Sequence, residues 1–193
     1  MPWLVVGLGN PGPTYASHRH NVGRHVVDEL AGRLGVRFAP ARGIRAELAE
    51  GRLGPPGGDS PRMILARSRT YMNETGAPVA ALLAYHKITP DRMVVIHDEL
   101  DIDPGQLRVK FGGGDNGHNG LKSIRRSLGS GDYYRVRVGV GRPPGRQDPA
   151  DFLLSNFPAA DRASVAVEVA RAADAVESLV SVGLERTQST FNS

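Results

Sequence analysis

Three polar residues carry the chemistry this sequence can do. Asn10 follows the apolar run Trp3 to Leu8, Asp98 follows the run Met93 to His97, and His20 stands just ahead of a helical stripe that starts near residue 21. If both apolar runs are parallel strands, Asn10 and Asp98 meet at one carboxyl edge, where open α/β sheets place their ligands. The positive end of the helix dipole favours neutral imidazole at His20, whereas a nearby carboxylate favours imidazolium; the balance suits a base working near neutral pH. Six histidines raise a metal site as the alternative, with His18, His20 and His25 close together and His97-Asp98-Glu99 later. The spacings argue against it: His18 and His20 fall in an irregular loop, no H-E-x-x-H occurs, and adjacent Asp98 and Glu99 diverge on a strand. Neither a metal nor a cofactor is expected. There is no cysteine, which removes thiolate ligands, disulfides and cysteine nucleophiles, and no G-x-S-x-G elbow offers a serine.

Gly7-Leu8-Gly9-Asn10-Pro11-Gly12 matches the G-x-G-x-x-G dinucleotide fingerprint directly after a strand. The context fails. Pro11, Pro13, Thr14 and Tyr15 make an irregular loop where the fingerprint needs an immediate helix, and Asp28 and Glu29, at the ribose-acid distance, fall inside the helix. A nicotinamide oxidoreductase is disfavoured.

The elements that must position these residues alternate between apolar runs and helical stripes, as in a mixed, mostly parallel twisted sheet flanked by helices. Val22, Val26, Leu30 and Leu34 lie four apart, one face of a helix that stops at Gly35. Residues 45 to 53 and 62 to 67 read as a strand pair, joined by a Gly/Pro-rich loop from Gly54 to Pro61. Val79, Leu82, Leu83 and His86 mark a second helix, and Leu121, Ile124 and Leu128 a third. Leu107 to Phe111 and Arg135 to Val138 alternate with period two, so both strands expose a cationic face. A long helix runs from about Pro158 to Gly183, and the polar end after it is expected to fray.

At 193 residues, 40% hydrophobic and 23% charged, the chain is an ordinary globular domain, read as a single unit over residues 1–193. No basic leader precedes Trp3-Leu4-Val5-Val6, and no apolar run approaches the about 18 residues of a membrane span, so the cytoplasm is the expected location. The formal charge is +4, but residues 108 to 146 hold nine cations against two carboxylates, a local balance of +7. Such a field recruits polyanions, nucleic acid among them. No exposed apolar stripe demands oligomerisation, and a monomer is expected.

Four blocks agree in order and spacing with a known family. Val6-Gly7-Leu8-Gly9-Asn10-Pro11-Gly12 through Tyr15 and Arg19-His20-Asn21, then Thr70-Tyr71-Met72-Asn73, His97-Asp98-Glu99-Leu100-Asp101, and Gly112-Gly113-Gly114 through Gly117-His118-Asn119-Gly120-Leu121-Lys122 closely resemble bacterial peptidyl-tRNA hydrolase. The resemblance covers essentially the whole chain. It implies a single α/β domain that cleaves the ester joining a peptide to the terminal ribose of tRNA. It further implies that His20 activates water and Asp98 orients His20. Asn10, Asn73 and Asn119 would hold the peptide, ribose or reacting carbonyl, Met72 would shape the cleft floor, and Tyr15 and His118 would border it. Lys110 and Arg137 match positions that grip the tRNA 5′ phosphate, with Arg135 adding backbone attraction. A rival of another class is an RNA-binding relative of the same fold, such as a splicing factor, without hydrolysis; retention of His20, Asp98, Asn10, Asn73 and Asn119 favours the enzyme.

Overall fold

The computed structural model describes residues 1–55 and 57–192; Pro56, within the expected hairpin loop, and Ser193 lie outside it. Strands β1 (Trp3–Gly7), β4 (Arg62–Ser68), β5 (Met93–Glu99) and β7 (Tyr134–Gly139) form the parallel centre of a seven-stranded sheet. Antiparallel strands extend it on both sides. β3 (Ala46–Arg52) pairs with β4 and carries the two-residue β2 (Ala39–Pro40), while β6 (Leu107–Phe111) pairs with β7 at the other edge. The parallel middle explains why β1 and β5 read as continuous apolar runs: strands covered on both faces have no polar side to show.

Their alternation feeds two cores. Trp3, Val5, Val94 and Ile96 face the layer built by α1 (Val22–Leu34) and α5 (Arg162–Val182). Leu4, Val6, Met93 and Val95 face the layer built by α2 (Gly76–His86) and α3 (Asn119–Leu128). Helix α1 ends as its sequence dictates, on Gly35 in the left-handed region. His86, read as inward, is only half-buried. Among the described residues no helix is long and apolar enough to cross a membrane.

Two expectations need correction. The polar C-terminus does not fray: after Gly183 a further helix, α6 (Leu184–Phe191), docks on edge strand β6. Phe191 enters the core, and beyond the helix Asn192 donates to Val109 O at 3.0 Å and accepts from Val109 N at 2.7 Å. A side-chain amide thus completes backbone bonds that an edge strand otherwise leaves open. Sequence polarity hid this, because the docking uses one aromatic, Phe191, and two amides, Asn192 and Gln188, the latter donating to Val109 O at 3.0 Å. The second correction concerns Arg135. Its side chain has no exposed area, because the face of β7 that it shares with Arg137 is covered at that point by the loop after β6. Period-two alternation locates a face and says nothing of what lies over it.

The approach of α1 to the sheet fixes the first site residue. A Cβ on Gly7 would sit 2.2 Å from Gly23 O, and one on Gly23 would sit 2.3 Å from Ile96 O, so backbones touch there without side chains between them. Gly23→Ala is therefore expected to overpack this contact by about 1–3 kcal/mol or more. A thermal melt should show a transition lower by about 2–4 °C per kcal/mol, and an unchanged melting temperature would contradict the close approach.

Candidate active site

The irregular stretch after β1 returns to the sheet in a tight turn over Arg19–Asn21, immediately before α1. That turn is pinned from outside. Arg19 N donates to Ser155 O at 3.0 Å, and the Arg19 guanidinium donates to Ser155 Oγ at 2.6 Å while lying over the Phe152 ring. From inside, Asn21 grips the loop by accepting from Asn10 N at 2.9 Å and donating to Asn10 O at 2.8 Å. His20 is held between these anchors and is buried.

Asp98 is buried in β5 and receives two imidazoles. His20 Nδ1 lies 2.7 Å from Oδ2 and His118 Nε2 lies 2.8 Å from Oδ1. The protons on both rings follow from the bonds around them. His118 Nδ1 accepts from Gly120 N, closing the N-terminus of α3, so its proton is on Nε2 and is donated to Asp98. Asp98, an ionised carboxylate, accepts the Nδ1–H of His20 as well, which leaves His20 Nε2 as the basic atom. Burial alone would raise the Asp98 carboxyl, but the neighbouring His118 and His20 outweigh it and hold the group well below the usual carboxylate range. Burial likewise lowers His20, and the Asp98 carboxylate more than offsets this, leaving the imidazole above its ordinary value. Behind them His97 donates Nδ1–H to the Asp98 carbonyl at 2.8 Å. Burial, reinforced by His118, pushes its pKa down to about 3, so it stays neutral.

These groups open onto a cleft of about 560 Å³ whose wall includes Asn10, Tyr15, His20, Met72, Asn73, Asp98, His118 and Asn119. The eight residues to which the family resemblance gives catalytic and substrate roles thus line one cavity. Asn10 is less free than a bare amide: its Oδ1 accepts from Met72 N at 2.7 Å, so only Nδ2 remains to face a ligand. Asn73 and Asn119 are exposed, the latter opening α3. The cleft also uses residues that sequence reasoning left out. Glu99 accepts from Asn116 Nδ2 at 2.7 Å and from Arg137 at 3.0 Å, and Asn116 holds a left-handed backbone with φ of 46°. Asn116 sat in view within the glycine segment; Leu153 and Leu154, which also line the cleft, carry no chemical signal at all.

Lys110, on edge strand β6, and Arg137, on the adjacent β7, are not among the residues lining the cavity; Lys110 lies across from Arg135 and Arg137 across from Arg108. Both are half-buried. Arg137 is joined to the cleft wall through Glu99. Partial burial and the neighbouring Arg137 and Arg135 lower the Lys110 amine from its usual value. Arg135, in contrast, faces inward and its side chain has no exposed area in this structure.

Among the described residues His20, Asp98 and His118 also offer potential ligand atoms within 4.8 Å of one another. The nitrogens facing the carboxylate already bond to it, so a cation placed among them would have to break both contacts. The glycine motif lacks the geometry of the dinucleotide fingerprint: α1 starts only at Val22, and Asp28 lies within it, paired with Arg67 at 2.7 Å.

An imidazole aligned by a buried carboxylate at the carboxyl edge of a parallel sheet, open to a cleft rich in amides, is the arrangement of a hydrolase. The model of the family described as peptidyl-tRNA hydrolase matches residues 4–193. The chain is 58% identical to the peptidyl-tRNA hydrolase of Cutibacterium acnes, over 99% of this chain and 98% of that one. It is also 58% identical to that of Streptomyces coelicolor, over 100% and 96%. The crystal structure of peptidyl-tRNA hydrolase from Acinetobacter baumannii superposes with a TM-score of 0.87 at 31% identity, covering 100% of this chain and 95% of that one. The chain belongs to the peptidyl-tRNA hydrolase family.

The pH dependence follows from the raised His20. A general base must be neutral, so raising its pKa moves the acid limb of kcat/KM to higher pH than a free histidine, about 6.5, would give. Asp98→Asn removes the charge that raises it and leaves the burial that lowers it. The limb should therefore shift to lower pH while the plateau falls; a limb that stays in place would show that Asp98 does not set the His20 titration.

Proposed function

We propose that this chain hydrolyses peptidyl-tRNA at the ester between the peptide and the 3′ ribose, with His20 as general base. The observation that carries this is the 2.7 Å contact of His20 Nδ1 with buried Asp98, which turns Nε2 toward the cleft. Water bound beside Nε2 attacks the acyl carbon and gives its proton to His20. The tetrahedral intermediate then expels the ribose 3′ oxygen, which takes that proton, and peptide and tRNA leave. Protonated His20 forms an ion pair with Asp98, so the charge created during attack is neutralised on the spot. The Asn10 Nδ2–H, fixed by the Met72 contact, is the donor best placed by its bonding for the developing oxyanion or the peptide carbonyl. Asn73 and Asn119, as exposed amides, serve the peptide and the terminal ribose, with Met72 as the floor and Tyr15 and His118 as borders.

An ester is activated relative to an amide, so a base worth about 10²–10⁴ and an oxyanion donor worth about 10²–10³ are appropriate to the task. Lys110 and Arg137 grip the 5′ phosphate. Such contacts hold the substrate in register without reading its sequence. The protein works as a monomer in the cytoplasm. The non-hydrolytic RNA-binding reading gains no support from the relatives, which are named as hydrolases.

Purified protein incubated with N-acylaminoacyl-tRNA is expected to release free tRNA, and His20→Ala to lower kcat by about 10²–10⁴ with substrate affinity retained. Asp98→Ala should be impaired less. Wild-type turnover by the His20→Ala protein would remove the base assignment.

Anchoring separates from chemistry in the kinetics. Replacing Lys110 and Arg137 should raise KM and flatten its salt dependence while the chemical step stays close to wild type. A loss confined to kcat at unchanged KM would contradict the phosphate role.

A further inference from the structure

Arg135 poses a physical question that the reaction does not answer. Its guanidinium is fully buried, yet its nearest carboxylate, Asp115, stands 3.8 Å away. Its close partners are instead three main-chain carbonyls: Gly114 O at 2.6 Å, Gly113 O at 3.0 Å and Gly131 O at 3.1 Å. A buried cation is costly unless its hydrogen bonds are met, and burial does lower this one from its ordinary value. Two of the three acceptors belong to the glycine-rich loop between β6 and α3. Gly112, Gly113 and Gly117 all hold positive φ, at 70°, 103° and 76°. Glycine at such positions is free of strain when folded but offers no side chain to fix the loop. The same loop delivers His118 to Asp98 and Asn119 to the cleft. From Gly114 it reaches His118 in four residues, the turn being closed by His118 N donating to Asp115 O at 2.9 Å.

We infer that Arg135 is a positioning residue, the internal clamp that holds the Gly112–Gly117 loop so that His118 and Asn119 reach the cleft in register. The guanidinium fork is the group suited to this, because it presents several donors in fixed directions to carbonyls on two chain segments, where an ammonium offers a point charge on a flexible stem. Tyr133 supports the fork with its ring, 4.6 Å from the guanidinium carbon. Arg125 grips the loop from outside, donating to Gly113 O at 2.6 Å and to Asp115 at 3.0 Å. The effect reaches chemistry through one bond: a shifted loop weakens the His118 contact to Asp98, and Asp98 then aligns His20 less well. This rests on the proposed roles of His20 and Asp98.

The test is Arg135→Lys, which retains the charge and removes the fork. Turnover is measured on peptidyl-tRNA carrying a 5′ phosphate and on the same substrate with a 5′ hydroxyl. The clamp predicts that kcat falls about 10- to 100-fold, as expected for slight misplacement of reacting groups, that KM changes little, and that the factor is the same on both substrates. The imidazole nitrogen signals of His118 should also move from the pattern of a fixed Nε2–H tautomer toward exchange between tautomers. A loss that shows in KM and vanishes on the 5′-hydroxyl substrate would make Arg135 a phosphate ligand, and wild-type turnover would remove the clamp altogether. If Arg135→Lys does not fold, Arg125→Gln loosens the same loop from the surface. It is expected to lower kcat about two- to tenfold, equally on both substrates, and an unaltered kcat there overturns the proposal. The His118 signals keep this separate from the base assignment, since they report the loop whether or not His20 proves to be the base.

Discussion

A carboxylate buried in the end of a central strand, with one imidazole on each oxygen, is the constraint on which the site depends. Placing Asp98 out of water is tolerable only because His20 and His118 both donate to it. That requirement fixes two tautomers at once. It leaves the basic nitrogen of His20 free of the carboxylate and sets a negative charge beside the ring. The carboxylate holds the imidazole in one orientation, so the ring is preorganised by a contact internal to the fold.

The sheet supplies the coincidence of position. β1 and β5 are adjacent and parallel, with Val6 beside Val95 and Gly7 beside Ile96, so the chain emerging from one comes out next to Asp98 on the other. Asn10 and His20 then need only a short, irregular excursion held to the sheet edge. The glycines that resemble a cofactor fingerprint have a different task here. Gly7 and Gly23 let α1 approach until backbone meets backbone, and Gly9 leaves room for Arg24 and Asn21. Asn21 then ties the excursion down by bonding both main-chain groups of Asn10. Close packing sets the angle at which the turn containing His20 leaves the helix.

Much of this was legible in the residues. Continuous apolar runs gave the covered strands and their parallel centre, four-residue spacing gave α1 to its terminal glycine, and the resemblance named side chains that do line one cleft. What escaped had physical reasons. Asn21 looks like any polar residue beside a histidine, because its role is to bond backbone eleven residues away. Leu153 and Leu154 reach the cleft only through the docking of α4 (Pro149–Leu153) and its neighbours beneath Arg19, which no local pattern encodes. Helix α6 was hidden because an amide completing an edge strand and an amide in water have the same composition. Arg135 was misplaced because periodicity assigns a side chain to a face and cannot reveal the loop lying over that face.

The basic segment shows why charge arithmetic overstates what a substrate meets. Of the cations that gave residues 108 to 146 their excess, Arg135 is enclosed by carbonyls, Arg125 is joined to Asp115, Arg137 to Glu99 and Arg142 to Asp101. Their fields are largely met within the molecule, and at exposed positions what remains is screened within about 8–10 Å. The attraction available to a polyanion therefore rests on the cations of this segment without a carboxylate partner, the exposed Lys122, Arg126 and Arg146 and the half-buried Arg108 and Lys110, whereas Arg137 is matched by Glu99. Glu99 makes that match conditional: its carboxylate holds Arg137 on one side and Asn116 of the cleft wall on the other. Arg137 thus shares its carboxylate partner with a residue that also shapes the cleft, so the cationic strand face and the cleft wall are joined through one side chain.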